Sequence, residues 1–304
     1  MVLQALPKSS ADRPRGPRSS ARWLRGSMGL LALLGVAGYL LFHYLTGPSP
    51  EGCTVRIGEQ RVELDVTQAA NAATITAVAS VRGLPERAVT IALATAMQES
   101  GLENIRYGDR DSLGLFQQRP SQGWGTREQV LDPVYSSNAF FEALEDVPGY
   151  SRLPLTVAAQ KVQRSGYPQA YAKHEPEAAV VAAALTGREG GALTCTINAD
   201  SEPGGSAGRV ADRVEREFVD VAGSVERSGR TLRYRPEADG VEGGRHGWAL
   251  AQWAITHAKE LKIERVAYAD REWSADKSDD GWRGGGNGSA DHSTDRVLIT
   301  VSKK

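Results

Sequence analysis

Glu99 is the residue on which chemistry could turn. It stands one place before the end of an apolar run, "AVTIALATAMQES" (Ala88–Ser100), and Gly101 comes directly after it. The bland reading is a helix that frays into solvent, because most acids at helix ends are solvated. Two features favour a sharper one. Val89, Leu93 and Met97 form an apolar stripe, and Glu99 stands off it beside Ala96, Thr95, Ala92 and Ala88, all small. A face of small side chains leaves room for a groove or for a neighbouring helix. The negative end of a helix and partial burial both favour the protonated form of a carboxylic acid. That is the form a general acid needs near neutral pH.

The residues downstream of Glu99 narrow the chemistry. Glu99-Ser100 is succeeded about a dozen residues later by Gly114-Leu115-Phe116-Gln117, then Gln118. This pairing resembles the lysozyme-like superfamily, in particular soluble-lytic-transglycosylase-type domains. They carry an "ES" at a helix end and a "G-L-[MF]-Q" turn downstream. The resemblance covers about residues 65–190. It implies that Glu99 protonates the glycosidic oxygen between MurNAc and GlcNAc, then acts as base on the MurNAc 6-hydroxyl. One carboxylate suffices, because the substrate supplies its own nucleophile. It further implies that Gln117, Gln118 and the Phe116 backbone hold sugar amide or hydroxyl groups. Ser100 would bond a sugar or Glu99 itself, and Tyr107 and Trp124 would stack on sugar rings. Asp109 and Asp111, in "YGDRDS", are candidates for the second carboxylate that a hydrolytic muramidase uses. The competing reading of these two is a turn, with Arg110 neutralising one of them. The family also has an "A-Y-N-x-G" segment whose Tyr contacts the catalytic acid. The matching place reads "VAAQKVQRSGYPQAYA" (Val157–Ala172). Gln160 or Gln163 stands where the Tyr-Asn is expected, with Tyr167 and Tyr171 nearby but shifted.

The elements that must position these residues are mostly helices. With 304 residues the chain is long enough for two domains. "NADSEPGGSAG" (Asn198–Gly208) is polar and Gly-rich and reads as a linker between a domain of about 53–197 and one of 209–304. The first opens with an alternating stretch, "CTVRIGEQRVELDV", expected as a small hairpin or extended edge. Helices are expected over Thr67–Val81, from Leu84-Pro85 to Ser100, from an Asp132 N-cap with Pro133 at N1, and in "PLTVAAQKVQRS" and "HEPEAAVVAAALTG". The fold expected is a mainly α lysozyme-like domain plus a small α/β or α+β C-terminal domain, after one N-terminal transmembrane helix. In the C-terminal domain "AGRVADRVEREFVDVAGSV" and "HGWALAQWAITHAKELK" read as amphipathic helices, and "IERVAYAD" and "DRVLITVS" as strands.

Charge and apolar runs set the compartment. Residues 1–50 carry six basic side chains against Asp12, so the −1 total leaves a mildly acidic remainder. A nucleic-acid partner is not expected, since the basic charge sits outside the folded part. Residues 1–26 read as a disordered cytoplasmic tail. Ser27–Leu45, 19 residues without Asp, Glu, Lys or Arg, is long enough to span a bilayer. Arginines before it and none close behind place the N-terminus in the cytoplasm and the bulk outside, at the cell membrane. A cleavable signal peptide is the rival reading; the long basic region and "TGPSP" after the run weigh against it. In that oxidising space the two cysteines, Cys53 and Cys195, are expected to pair.

The C-terminal segment resembles a small domain of actinobacterial wall proteins that is distantly similar to zinc D-Ala-D-Ala peptidases. The peptidases' last strand carries a His-x-His metal pair; here the place reads Arg296-Val297-Leu298. His292, with Asp291 and Asp295, does not make a zinc site, so no metal and no cofactor is expected. His246 is expected at the surface and His257 on a helix face. Trp248 and Trp253 are expected in the core, whereas Trp273 and Trp282 are open to either packing or glycan stacking. Two functions fit these features. One is a membrane-anchored peptidoglycan-cleaving glycosidase acting on glycan strands. The other is a non-catalytic wall-binding or scaffolding protein, with cell-wall proteins as partners. A transporter does not fit one apolar span.

Overall fold

The computed structural model describes residues 33–40, 42, 49–165, 169–198, 204–237, 240–284 and 295–303. Residues 33–40 and 42 are helical and exposed; the remainder of the expected span Ser27–Leu45, and the tail before it, lie outside the described residues. Among the described residues no helix is long and apolar enough to cross a membrane.

From Ser49 onward the chain forms a separate compact unit. It opens with a hairpin, β1 (Gly52–Ile57) and β2 (Gln60–Leu64), turned at Gly58 with φ +56°. Alternation dictates the pairing, with Cys53 and Val55 of β1 and Val62 and Leu64 of β2 facing inward. β3 (Leu193–Thr196) adds to the other edge of β1, antiparallel, in the order β2-β1-β3. Cys53 lies directly opposite Cys195, and the two are joined at 2.02 Å. The expected disulfide is thus a cross-strand bond that ties the start of the helical block to its end.

Between β2 and β3 run α1 (Val66–Val81), α2 (Glu86–Ser100), α3 (Arg127–Val130), α4 (Pro133–Glu145), α5 (Leu155–Gln163) and α6 (Glu175–Leu185). α1 buries Ala69, Ala72, Ala73, Ile75, Ala77 and Ala79, so neighbours surround it, and small residues let them close in. α2 packs on α6, and α4 packs on α1. The helix starts obey local chemistry. Asp132 caps α4 by accepting from Val134 N–H at 3.0 Å, with Pro133 at N1. Gln68 reaches back to accept from Asp65 N–H at 2.8 Å at the start of α1.

The C-terminal block is a six-stranded antiparallel sheet with helices, an α+β arrangement. Its strands are β4 (Ser224–Ser228), β5 (Thr231–Arg235), β6 (Ile263–Tyr268), β7 (Arg271–Ser274), β8 (Arg283–Gly284) and β9 (Val297–Val301), in the order β4-β5-β9-β6-β7-β8. Its helices are α7 (Ala207–Phe218), α8 (Gly240–Thr256) and the short α9 (Ala258–Leu261). The helix expected to run through "VAGSV" stops earlier. Val219 at φ +46° and Gly223 at φ +70° turn the chain out, and Ser224 begins β4.

This block does not hang from a linker. Trp273 Nε1 donates to Cys195 O at 3.0 Å, and Trp282 Nε1 to Leu193 O at 2.8 Å. Gln252 of α8 accepts from Leu193 N–H at 3.0 Å and donates to Ala184 O at 2.6 Å. Gly187 approaches α8 so closely that a Cβ there would lie 1.9 Å from Arg245 O. One hydrophobic cluster runs through both blocks. Trp253 and Trp273 are fully buried. Trp248 and Trp282 are half-buried and meet edge to face at 5.3 Å. All four tryptophans therefore pack, and Trp273 is a core residue.

His257, between the end of α8 and the start of α9, is buried and stacks on Trp253 with ring centres 4.4 Å apart. His246 is half-buried. Burial pushes the His257 imidazole below its ordinary value, against the pull of the buried Glu217 carboxylate. The folded state then resists a proton that the unfolded chain accepts. Stability is complete above the unfolded value of 6.5 and is lost as pH falls below it. Melting temperatures measured from about pH 7 down to about pH 5 are expected to fall, with a shallower fall in His257→Phe.

Candidate active site

Glu99 sits in the last turn of α2, partly buried, and the helix end beneath it is pinned from three sides. Gly101 and Leu102 both adopt left-handed φ, +65° and +62°. Gly101 N–H returns to Met97 O and Leu102 N–H to Ala96 O, each at 3.1 Å, while the Leu102 side chain is buried. From α1, Gln68 Nε2 donates to Gly101 O at 2.9 Å and Asn71 Nδ2 to Leu102 O at 2.8 Å. Two carbonyls just past the helix end are thereby satisfied by side chains of a second helix. Ser100 supplies the third tie. Its hydroxyl donates to Ala96 O at 3.1 Å and to Leu115 O at 2.8 Å. Ser100 therefore binds the downstream turn, and not Glu99.

That turn is a miniature hairpin. Leu113 and Gln118 exchange both backbone hydrogen bonds at 3.0 Å, and Gly114 to Gln117 form the loop between them. Gly114 has φ +75°, and a Cβ there would fall 2.5 Å from Val130 O, so only glycine fits. Leu115 and Phe116 plunge into the core, Phe116 stacking on Phe140 with centroids 4.5 Å apart. Gln117 holds φ +49°, an uncommon conformation for a residue with a side chain. Its Nε2 donates to Gly114 O at 3.3 Å, and its Oε1 crowds Gly108, where a Cβ would come within 1.9 Å. Gln118 is only 2% exposed and donates to Ser136 O at 3.1 Å. The Phe116 carbonyl accepts from Gln163 Nε2 at 2.7 Å. Gln118 and the Phe116 carbonyl thus serve the scaffold.

The side chain that meets the Glu99 carboxyl is Tyr171. It is fully buried, and its hydroxyl donates to Glu99 Oε1 at 2.6 Å. Burial, then the hydrogen bond to Glu99, pushes the phenol well above its ordinary value, so it stays a donor. Sequence matching puts Gln160 or Gln163 in this place; the structure corrects it. Spacing along a helix holds only while the helix continues, and α5 stops at Gln163 because Arg164 adopts φ +49°. Beyond that break the chain re-approaches α2 at a position that residue counting does not give. Gln160 and Gln163 instead brace the neighbouring loops, with Gln160 Nε2 on Ser165 O at 2.7 Å. Tyr167 lies outside the described residues. Sequence reasoning misses two sets of contacts near the acid: the α1 pair Gln68 and Asn71, and His174 Nε2 on Gln98 Oε1 at 3.2 Å. The first has a signal, two amides three residues apart on an Ala-rich helix.

The loop carboxylates divide. Asp111 accepts from Arg119 Nε at 2.8 Å on one oxygen and from Ser121 N–H at 2.8 Å on the other. The Arg119 guanidinium first, then the Ser121 amide, hold its carboxyl well below the ordinary range. It builds the turn, with both its oxygens engaged there. Asp109 is 92% exposed with Arg110 3.8 Å away. Because the folded Asp111 is depressed, its contribution is present above the ordinary carboxylate value and disappears only as pH falls through the lower folded value. Asp111→Asn is expected to speed amide hydrogen exchange at Ser121 at neutral pH, which exchange measured by NMR reads directly.

Beside the turn lies a polar groove of about 450 Å³, walled by Gln117, Trp124, Asp146, Lys161, Gln163 and Arg164. Tyr107 stands 76% exposed on the same loop system, and Trp124 is half-buried. A second hollow of about 480 Å³ adjoins the β1–β2 sheet; Cys53 and Gln68 line it, but none of the expected catalytic or sugar-binding residues does. Among the described residues no three His, Cys, Asp or Glu side chains converge as metal ligands. Asp291 and His292 lie outside the described residues, Asp295 meets Arg235 at 3.0 Å, and Val297 begins β9 with its side chain in the core.

Comparison with known proteins bears on the other block. Residues 227–295 match a family model described as the VldE C-terminal domain, from within β4 to the residue before Arg296. None of the curated proteins matches the chain.

Proposed function

We propose that the helical block is a lysozyme-like glycosidase of the lytic-transglycosylase type, anchored to the membrane through Ser27–Leu45 and acting on peptidoglycan outside it. The observation that carries this reading is the 2.6 Å hydrogen bond from the buried Tyr171 hydroxyl to Glu99 Oε1. A neutral donor on one oxygen fixes the carboxyl in place and leaves the other oxygen for the proton that moves. Glu99 gives its proton to the oxygen between MurNAc and GlcNAc, and the C1–O bond breaks. The carboxylate then takes the proton of the MurNAc 6-hydroxyl as that oxygen bonds to C1. The proton inventory closes, and neither water nor a second acid is consumed. The engagement of Asp111 by Arg119 and Ser121 favours this one-carboxylate route over hydrolysis. The disulfide supports an oxidising compartment. The C-terminal block acts as a non-catalytic module seated on β3.

The test is clearing of peptidoglycan in a gel by the oxidised full-length protein, with mass analysis of the released fragments. Fragments one water lighter than the hydrolytic products support the transglycosylase. Fragments of hydrolytic mass would assign a water-using muramidase. Absence of clearing would leave a tethered wall-binding protein.

A further inference from the structure

Tyr171 meets Glu99 at the tip of its side chain; at its backbone it is held by His174. The short turn Ala172–His174 joins Tyr171 to the start of α6, and His174 N–H donates to Tyr171 O at 3.1 Å. The two residues therefore move as one turn. Ala172 and Lys173 between them are exposed, whereas Tyr171 is buried and His174 half-buried. The His174 ring reaches α2, where Nε2 lies 3.2 Å from Gln98 Oε1. An amide oxygen only accepts, so the proton of this bond is on Nε2. Burial, then Lys173, keeps the imidazole below its ordinary value against the pull of Glu177. At neutral pH the ring is then neutral, and Gln98 fixes which nitrogen holds the proton. Gln98 directly precedes Glu99. One turn of the chain is thus fastened to the last turn of α2 at both ends, by Tyr171 on Glu99 and by His174 on Gln98. The neighbouring contacts do not duplicate the second tie. Glu175 goes to Arg87 in the first turn of α2, at 2.6 Å, and Ser165 bonds the Tyr171 hydroxyl.

We propose that His174 is a positioning residue, which by fastening to Gln98 holds the Tyr171 turn so that the phenol meets the Glu99 carboxyl. Its effect on rate rests on the glycosidase reading of Glu99; its effect on the Tyr171–Glu99 contact does not. The competing role is plain packing, in which the ring only covers the end of α2. The two roles differ in one respect. A residue that acts through the Tyr171 hydroxyl has nothing left to position once that hydroxyl is gone, whereas a packing residue costs the same with or without it.

The experiment is a double-variant cycle on the oxidised full-length protein, with His174→Phe, Tyr171→Phe and the two combined, read as kcat and KM on soluble glycan strands. His174→Phe is expected to lower kcat about threefold to fivefold at unchanged KM, less than the loss of the hydroxyl itself. Added to Tyr171→Phe, it is expected to cost nothing further. His174→Gln, whose amide places a donor near where Nε2 stands, is expected to restore most of the rate. An unchanged kcat in His174→Phe overturns the proposal, as does the same fold-loss in both backgrounds. Exchange of the Tyr171 hydroxyl proton with solvent, followed by NMR, reads the contact without turnover. It is expected to quicken several-fold in His174→Phe and to stay slow in His174→Gln. Exchange as slow in His174→Phe as in the wild type overturns the proposal. The two readings fail separately. A wild type that does not cleave glycan removes the glycosidase reading, and hydroxyl exchange then still decides the role of His174. A wild type that cleaves, with His174→Phe matching it, keeps the activity and loses this inference.

Discussion

Replacing Glu99 with Gln is expected to lower peptidoglycan cleavage by about 10²–10⁴-fold while leaving the fold intact. Gln keeps an oxygen that can accept from Tyr171, so the 2.6 Å contact has an isosteric replacement and the end of α2 keeps its ties to Gln68, Asn71 and Leu115. What it lacks is the proton. The loss is therefore expected in kcat, with KM and melting temperature close to wild type. Tyr171→Phe separates positioning from chemistry. It removes the donor and keeps the ring in its buried place, and is expected to lower kcat roughly tenfold, about the worth of one well-placed hydrogen bond. Asp109→Asn acts as the counter-test, because an exposed carboxylate beside Arg110 is expected to contribute little. Clearing by Glu99→Gln at the wild-type rate would remove Glu99 from the reaction and place the proton donor elsewhere.

How far the sequence announces this arrangement depends on whether the deciding interaction is local. Gly101 as a helix stop, Asp132-Pro133 as a helix start and the alternating β1–β2 hairpin all depend on residues within a few positions of one another. Their rules apply before any tertiary structure exists. The Glu99-Ser100 and Gly114–Gln117 segments are legible for the same reason, but the jobs of their side chains are not. Ser100, Gln118 and the Phe116 carbonyl all bond to groups of the fold, partners that no local pattern names. Tyr171 is hidden by one backbone event, the left-handed Arg164, after which helical counting no longer fixes what faces α2. In the C-terminal block the strands β4 and β7 are four or five residues long and charged, so their periodicity is weak. Asn198–Gly208 looks like a linker by composition. Yet the block after it is fastened to β3 by Trp273, Trp282 and Gln252, each reaching back to a backbone group between Leu193 and Cys195. Those contacts span 59 to 89 residues of sequence, a range at which composition says nothing.

The same fastening makes the disulfide the site of the second large effect. Cys53→Ala with Cys195→Ala is expected to cost about 4–5 kcal/mol in the chain-entropy model, or less where the unfolded chain keeps structure. The closed loop is the reason, since the bond joins residues 142 apart and removes much of the unfolded chain's freedom. For a unit of this size the expected fall in melting temperature is about 10 °C. Both cysteines are buried in adjoining strands, so alanine fills part of the space and leaves no unpaired polar group. The loss should not stay at the sheet. Cys195 O accepts from Trp273 and Leu193 O from Trp282, so loosening β3 removes the anchor of the C-terminal block as well. Tryptophan fluorescence and far-ultraviolet circular dichroism should then report one shared transition, shifted together, in the oxidised protein and in the variant. A variant in which the tryptophan signal melts well before the helices would mean that the two blocks are energetically separate despite their common core. Reduction of the wild type should reproduce the shift only at temperatures or denaturant concentrations that open β1 from β3, because the bond is shielded in the folded state.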